Sequence, residues 1–197
     1  MRIIGDVHGK VEQYKKIVCK ANHEGHKTLQ LGDFGFKEHW DWLPRCKPRI
    51  EPQNHQIVMG NHDYTPYASV SPWSAGNFGY WEGIFYVRGA HSIDRGHRLE
   101  GRDWFADEEL TYIQGRDAMD QYMKLLPDVV VTHDCPQVIM QTLFGYSEKS
   151  NNRMLFEAMW EAHKPKLWLF GHHHQSKDIN VLGTNFRCLN ELEVFEI

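Results

Sequence analysis

Short apolar runs alternate with an amphipathic segment at the start of the chain. Residues 1–5, 28–31 and 56–59 are apolar runs of the length typical of buried strands. Residues 11–21 place apolar side chains at helical spacing, which predicts an amphipathic helix. The pattern therefore predicts a strand, a helix and then two more strands.

The middle of the chain is expected to be rich in strands. Residues 64–79 carry many proline, serine, glycine and aromatic residues, which predicts a surface excursion that could line a substrate entrance. Residues 78–81 and 84–88 flank Glu82-Gly83 and predict a β-hairpin. Residues 90–94 are predicted to add a third antiparallel strand.

The last third returns to alternating helices and strands. Residues 116–125 and 152–163 predict helices, and residues 128–132 and 166–170 predict strands. Residues 179–197 resemble a hairpin that turns at Leu182-Gly183-Thr184. The alternation predicts a mixed α/β fold, and the absence of repeats or linkers predicts one domain over residues 1–197.

Composition narrows the function classes. The chain has 197 residues, a formal net charge of −4 and a pI near 6.3, so we expect no broad electropositive surface for nucleic acid. No segment approaches the roughly 20 apolar residues that span a bilayer. The first motif begins at residue 5, which leaves no room for a signal peptide before it, and this predicts a cytoplasmic protein without membrane attachment. The four scattered cysteines are expected to be reduced.

Five short segments carry residues that bind metal ions. They are Gly5-Asp6-Val7-His8-Gly9, Gly32-Asp33-Phe34-Gly35, Gly60-Asn61-His62-Asp63, Val131-Thr132-His133 and Gly171-His172-His173-His174. All but the last clearly follow a short apolar run, so the polar groups are expected just past strand ends, at one edge of a sheet. Any one segment is weak evidence, whereas five in order strongly favour a metal site.

The proposed metal ligands combine carboxylate, amide and imidazole groups. They are Asp6, His8, Asp33, Asn61, His133, His172 and His174. Such a mixture suits Mn²⁺, Fe or Zn²⁺, while a thiolate zinc site would look different.

The order of these motifs resembles the calcineurin-like metallophosphoesterase superfamily, over roughly residues 1–175, and suggests a compact bacterial- or phage-type member. The resemblance implies a four-layer αββα sandwich with two central mixed sheets flanked by helices. It also implies two metal sites: Asp6, His8, Asp33 and His174 would hold metal 1, and Asp33, Asn61, His133 and His172 would hold metal 2.

The resemblance further implies a dinuclear phosphoesterase that hydrolyses phosphomonoesters or phosphodiesters through a metal-activated water or hydroxide. Its implied catalytic residues are Asp33, Asn61 and His62, and His62 would assist the leaving group, with Asp63 as a less certain partner. The expected cofactors are two divalent ions, Mn²⁺ first, with Fe, Zn²⁺, Ni²⁺ or Mg²⁺ as alternatives. The expected substrate is a phosphorylated small molecule, a nucleotide or a phosphopeptide.

The chain departs from the serine/threonine protein phosphatase branch at the second motif. That branch continues with an Asp-Arg pair, where this sequence has Phe36 and Lys37. The final three histidines resemble the phosphodiesterase-like branches more closely. Protein phosphatase activity is kept as an alternative, followed by a non-catalytic interaction scaffold and a nuclease.

Several neighbouring residues keep two interpretations. His173 is expected to face away from the metals. The cluster of Arg95, Arg98 and Arg102 with Ser92 and Asp94 suits either a phosphate oxygen or ordinary surface charge. Glu108 and Glu109 could reach a ligand histidine from beneath the site, but a solvated acidic turn is the preferred interpretation.

Overall fold

The computed structural model describes residues 1–35 and 50–197, and Phe36 and Lys37 lie outside these ranges. The strands are β1 Arg2–Ile4, β2 Thr28–Gln30, β3 His55–Ile57, β4 Phe78–Trp81, β5 Ile84–Val87, β6 Val129–Thr132, β7 Leu167–Phe170, β8 Lys177–Val181, β9 Thr184–Cys188 and β10 Val194–Glu196. The α-helices are α1 Val11–His23, α2 Thr65–Ala68, α3 Tyr112–Leu125, α4 Gln137–Phe144 and α5 Asn151–Ala162, with a 3₁₀ helix at Arg95–His97.

The strands form two mixed sheets. The first has the order β10-β1-β2-β3, with β10 antiparallel to β1 and the other pairs parallel. The second has the order β4-β5-β6-β7-β9-β8, in which β5, β6, β7 and β9 are parallel and the two outer pairs are antiparallel.

The pleat of the strands divides the apolar side chains among three core layers. In β1, Ile3 packs between the sheets while Ile4 packs with α1 residues on the outer face. In β6, Val131 joins the same intersheet layer, and Val130 packs outward with residues of α3, α4 and α5. The layers are therefore helix, sheet, sheet and helices, which confirms the fold class implied by the sequence.

The predicted hairpin at residues 78–88 is confirmed. β4 and β5 pair antiparallel, and the turn residues Glu82 and Gly83 have φ values of 53° and 87°. Positive φ at both central positions is the geometry of the two-residue turns that best match strand twist.

The third antiparallel strand predicted at residues 90–94 is wrong. β5 pairs with β6 on its other side, and the chain turns away at Gly89, whose φ is 85°. A side chain at Gly89 would collide with the backbone carbonyl of Glu108. Residues 90–94 instead run into the 3₁₀ helix and bring His91 and Ser92 into buried positions.

The surface excursion predicted at residues 64–79 is only partly right. It contains α2, and Ala68 and Trp73 are buried in the core beneath the first sheet. The Trp73 indole donates to the Ile50 carbonyl at 3.1 Å, and Ser74 bridges to Ile57 of β3. The aromatic content of this segment therefore reflects packing as well as surface.

The C-terminal hairpin is shorter than predicted. β8 and β9 turn at Leu182 and Gly183, whereas β10 leaves the hairpin and pairs with β1 in the other sheet. Helix α3 also begins four residues before the predicted start at Arg116. Thr111 and Gln114 form a reciprocal capping box there, a signal that is legible in the sequence.

Cys19, Cys135 and Cys188 are free, in agreement with reduced thiols, and Cys46 lies outside the described residues. Over residues 1–35 and 50–197, every helix is too short or too polar to cross a bilayer.

Candidate metal centre

The five motifs meet where the carboxyl ends of strands from both sheets converge. Asp6, Asp33 and Asn61 follow β1, β2 and β3, and His133 and His172 follow β6 and β7. Since the carboxyl ends of parallel strands collect side chains at one edge, two such edges facing each other concentrate polar groups in a small volume.

One group of donors surrounds Asp6. His8 Nε2 lies 3.6 Å from Asp6 Oδ2 and 3.4 Å from Asp33 Oδ2. His174 Nε2 lies 3.4 Å from Asp6 Oδ2. These four side chains place one ligand atom each within 4.8 Å of one another, which is the spacing that a single cation requires.

A second group contains Asp33 again, with His133 and His172, at the same mutual spacing. His133 Nε2 lies 3.3 Å from Asp33 Oδ1 and 3.1 Å from Asn61 Oδ1. Asp33 therefore belongs to both groups, with Oδ2 directed at one and Oδ1 at the other. All seven ligands proposed from the sequence are brought together.

The orientation of the His133 ring is fixed by a hydrogen bond at Nδ1, the nitrogen that does not face the ligand group. Its Nδ1 lies 2.8 Å from the Leu31 carbonyl oxygen. A carbonyl can only accept, so Nδ1 carries the proton and Nε2 is turned to the ligand group. This arrangement is usual for histidines that bind metals.

The residues present fit a pair of divalent cations. Asp6 Oδ1 and His8 Nε2 are buried and have no hydrogen-bond partner within residues 1–35 and 50–197. Buried polar atoms normally have partners, and a divalent cation would supply one to both of these atoms. The donor set of carboxylates, an amide oxygen and imidazoles also suits such ions.

Electrostatics lead to the same interpretation. Burial lowers the pKa of His133, but the Asp33 carboxylate outweighs it and raises the pKa to about 10. Burial alone would raise the pKa of Asp33. The neighbouring His133 has the opposite effect, and the pKa of Asp33 lies well below its usual value. By contrast, burial lowers the pKa of His172 to about 3, which leaves its ring neutral and able to bind a metal. The site therefore stabilises positive charge beside Asp33.

Backbone strain is concentrated at the ligands. His8, Asp33, His172 and His174 have φ values of 44°, 52°, 68° and 50°. Non-glycine residues rarely adopt this left-handed conformation, and clusters of such residues occur at functional sites. Four of the seven proposed ligands are held in this way.

Two glycines allow the backbone to approach the carboxylates. A Cβ atom at Gly60 would overlap Asp33 Oδ1, and one at Gly171 would overlap Asp6 Oδ1. Both positions therefore exclude larger residues, in agreement with the close approach expected of glycines in these motifs.

His62 does not pair with Asp63. Asp63 is buried and accepts backbone N–H bonds from Phe34, Gly35 and Gly60 at 3.2, 2.6 and 2.8 Å, so it ties the second motif to the third. Burial and the Asp33 charge raise the pKa of Asp63 to about 6.

The partner of His62 is Arg98. Arg98 Nη1 lies 2.9 Å from His62 Nδ1, while Nε and Nη2 each donate to Asp94 at 2.7 Å. Burial and the Arg98 charge lower the pKa of His62 against the opposing effect of Asp33. Of the three arginines in the predicted cationic cluster, Arg98 reaches the site.

Asn61 is held by a buried pair of residues, Ser92 and Glu108. Its Nδ2 donates to Ser92 Oγ at 2.9 Å, and Ser92 Oγ in turn contacts Glu108 Oε2 at 2.6 Å. Glu108 is buried, so the preferred interpretation of a solvated acidic turn is wrong for this residue. Its spacing from Asn61 gives no sequence signal, because the contact depends on the turn at Gly89.

His173 faces away from both ligand groups, as predicted. Its Nε2 lies 3.0 Å from Asp134 Oδ1, and its ring packs 4.2 Å from that of Phe144. The other Asp134 oxygen accepts from the buried Arg153 at 2.6 Å. Although Asp134, Cys135 and His173 are close enough to hold an ion, Arg153 already balances the Asp134 charge.

A cavity of about 270 Å³ opens beside the centre. Asp33, Asn61 and His62 line one side, and Met140, Phe144 and Tyr146 line another. The apolar wall thus comes from helix α4 and the segment after it, an element that was not predicted although Pro136 and Gly145 bracket it in the sequence. The described residues that line this cavity include none from 64–79, so a substrate entrance at that segment stays a prediction.

The sequence pattern of calcineurin-like phosphoesterases matches residues 2–176. The chain belongs to the calcineurin-like phosphoesterase family. Members of this family are metal-dependent phosphoric ester hydrolases, and the ligand groups described above give this chain the residues for that activity.

One solved structure with a TM-score above 0.5 shares the fold at low sequence identity, and two others are similar at lower scores. GAP50, the anchor in the inner membrane complex of Plasmodium, is 11% identical with a TM-score of 0.55, over 96% of this chain and 71% of that chain. Phosphopantetheinyl hydrolase from Mycobacterium tuberculosis is 14% identical with a TM-score of 0.49, over 96% and 89%. A predicted phosphoesterase from Streptococcus pneumoniae is 10% identical with a TM-score of 0.45, over 96% and 72%. Comparison with curated protein sequences gave no match.

Proposed function

We propose that this phosphoesterase uses two divalent cations that share the Asp33 carboxylate, and that it hydrolyses small phosphomonoesters or phosphodiesters. The observation that carries the proposal is the division of the Asp33 oxygens: Oδ2 faces His8 and Oδ1 faces His133. Asp6, His8, Asp33 and His174 would hold one cation, and Asp33, Asn61, His133 and His172 the other. The cations would supply Lewis-acid polarisation of a phosphoryl oxygen and of water.

The shared carboxylate explains how two cations could be held close together. Asp33 is almost fully buried, and its negative charge offsets the repulsion between two positive ions. Asp6 adds a second buried carboxylate on the side of His8 and His174. The neutral ligands Asn61 and His172 then complete the other side without adding charge.

His62 is proposed to assist the leaving group as a hydrogen-bond donor. An arginine can only donate, so the contact with Arg98 requires a lone pair on His62 Nδ1 and places the proton on Nε2. All three guanidinium nitrogens of Arg98 already donate to Asp94, His62 or the Asp103 carbonyl. Arg98 therefore suits orienting His62 better than gripping phosphate.

The substrate is proposed to carry a leaving group with apolar surface. Phosphate placed beside Asn61 and His62 would leave the rest of the molecule next to Met140, Phe144 and Tyr146 in the same cavity. Aryl phosphates and nucleotides offer such surface, and a cavity of this size limits the bound part of the substrate to a small group. We propose Mn²⁺ as the preferred ion from the mixed oxygen and nitrogen donors.

The test is a metal-reconstitution assay. Protein stripped of metal is supplied with Mn²⁺, Mg²⁺, Ni²⁺ or Zn²⁺ and tested on p-nitrophenyl phosphate, its bis ester, a cyclic nucleotide and a phosphopeptide. We expect Mn²⁺ to restore the highest rates, on the small esters. Highest activity on the phosphopeptide would favour the protein phosphatase alternative, and no turnover with any ion would contradict the proposal.

A further inference from the structure

Three buried side chains form a chain of hydrogen bonds that ends at Asn61. Glu108 Oε1 accepts from the Ser92 backbone N–H at 3.0 Å, and Glu108 Oε2 lies 2.6 Å from Ser92 Oγ. Asn61 Nδ2 lies 2.9 Å from the same Ser92 Oγ. Glu108 is 5% exposed, and Ser92 and Asn61 are each 2% exposed, so little water competes for these groups.

The chemistry of the three groups determines the direction of every bond. The Glu108 carboxylate can only accept, so the Ser92 hydroxyl hydrogen points to Glu108. The Ser92 oxygen is then left as an acceptor, and of the two ends of the Asn61 amide only Nδ2 can donate to it. Consequently Asn61 Oδ1 points the other way, to within 3.1 Å of His133 Nε2.

We propose that Glu108 and Ser92 are positioning residues that fix the Asn61 amide with its oxygen facing the ligand group of His133 and His172. This inference rests on the proposed function, in which that oxygen binds a cation. The two ends of an amide have nearly the same shape, so packing alone selects between them poorly, whereas the chain of hydrogen bonds selects one. A reversed amide would present N–H groups to the cation.

The variant Glu108→Gln reverses the polarity of this chain without changing its shape. The Ser92 backbone N–H still needs an acceptor, so the glutamine oxygen takes the place of Oε1 and its NH₂ group faces Ser92 Oγ. Ser92 then accepts from Gln and donates its hydrogen to Asn61. The Asn61 oxygen is therefore drawn to Ser92, and its NH₂ group turns to the metal side.

Glu109 provides a matched control. It is the next residue, it lies 3.7 Å from His91 Nδ1 as Glu108 does, and it accepts from the Asn152 backbone N–H. Its hydrogen bond and ion pair are with Asn152 and His91 rather than with Ser92 or Asn61. Glu109→Gln therefore makes the same chemical change beside the chain of hydrogen bonds rather than within it.

The first measurement is made on metal-free protein by NMR. In the wild type we expect the Asn61 NH₂ protons to show nuclear Overhauser effects to Ser92. In Glu108→Gln they should instead approach the ring protons of His133, and Glu109→Gln should match the wild type. An Asn61 amide that stays directed at Ser92 in a folded Glu108→Gln protein would overturn the proposal.

The second measurement is a Mn²⁺ titration that resolves two binding steps. We expect Glu108→Gln to weaken one step by roughly 10- to 100-fold, the range seen when groups behind metal ligands are changed, and to leave the other step unchanged. Equal affinities in Glu108→Gln and the wild type would overturn the proposal. The unaffected step serves as an internal check that the variant is folded.

If Glu108→Gln does not fold, Ser92→Ala tests whether the chain of hydrogen bonds orients the Asn61 amide. Without the hydroxyl acceptor, the Asn61 amide should contact both sides in the NMR experiment and one Mn²⁺ step should weaken, whereas an unchanged amide would contradict the proposal. Asn61→Ala separates this inference from the proposed function. Two intact binding steps in Asn61→Ala would remove Asn61 as a ligand, whatever the orientation of its amide.

Discussion

Arg98 Nη1 lies 2.9 Å from His62 Nδ1, whereas the sequence had suggested the carboxylate of Asp63 as a partner for this histidine. A carboxylate partner would accept a hydrogen bond from Nδ1–H and favour a charged ring, whereas a guanidinium requires a lone pair on Nδ1. The contact with Arg98 thus favours a neutral His62 ring whose single N–H is on Nε2.

Arg98→Met should release the His62 ring and lower turnover by roughly tenfold, about the effect of one lost hydrogen bond of 1.4 kcal/mol. Nitrogen NMR of the imidazole should change from the Nε2–H form to a mixture of tautomers. Arg95→Met, an exposed neighbour, is the control and should leave both readouts unchanged. A single tautomer retained in Arg98→Met would contradict the assigned role.

His62→Ala should lower turnover by about 10² to 10⁴ with poor leaving groups, because a donor to the departing oxygen is lost. The loss should be much smaller with p-nitrophenyl esters, whose leaving group needs little assistance. A series of aryl phosphates of increasing leaving-group pKa measures this dependence. The same fractional loss across the series would argue against leaving-group assistance.

Phe144→Ala should weaken binding of aryl substrates by removing part of the apolar wall beside the centre. We expect KM for p-nitrophenyl phosphate to rise by roughly tenfold, the effect of about 1.5 kcal/mol of lost burial, with little change in kcat. Tyr67→Ala, an exposed aromatic in the 64–79 segment, is the control. A larger rise in KM for Tyr67→Ala than for Phe144→Ala would show that residues 64–79, and not the apolar wall, determine substrate selectivity.

His55 should make stability fall in acid, at a distance from the metal centre. Burial lowers its pKa to about 3, and its ring nitrogens lie 2.7 Å from Tyr14 and Thr28 oxygens. Its folded-state pKa is below the unfolded value near 6.5, so its stabilising effect is complete above pH 6.5 and is lost as pH falls toward 3. In that window the free energy of unfolding should fall by up to about 1.4 kcal/mol per pH unit.

Urea unfolding of the wild type and His55→Gln at pH 7 and pH 5 measures this contribution. The difference between the two proteins should shrink at the lower pH, because glutamine does not titrate. A difference that is the same at both pH values would show that His55 does not supply the acid sensitivity.

The convergence of the proposed ligands could be predicted because each motif is local. Asp6, Asp33 and His133 follow apolar runs directly, and such runs end at a sheet edge whatever the rest of the chain does. The hairpin at Glu82-Gly83 could also be predicted, because its turn residues and both strands are adjacent in the sequence.

The groups behind the ligands could not be predicted from local patterns. Ser92 and Glu108 are 16 residues apart and meet only because the chain turns at Gly89 instead of continuing as a strand. Similarly, β10 joins the first sheet through pairing with β1 at the opposite end of the sequence. Contacts of this kind depend on tertiary packing, which overrides local periodicity.

The most direct test is anomalous diffraction from crystals of the protein saturated with Mn²⁺. The account predicts two manganese peaks per chain, both within bonding distance of the Asp33 carboxylate, and loss of at least one peak in Asp33→Asn. Asp178→Asn, at an exposed carboxylate, should keep both peaks. A single peak under saturating Mn²⁺, or two peaks of which only one contacts Asp33, would contradict the account.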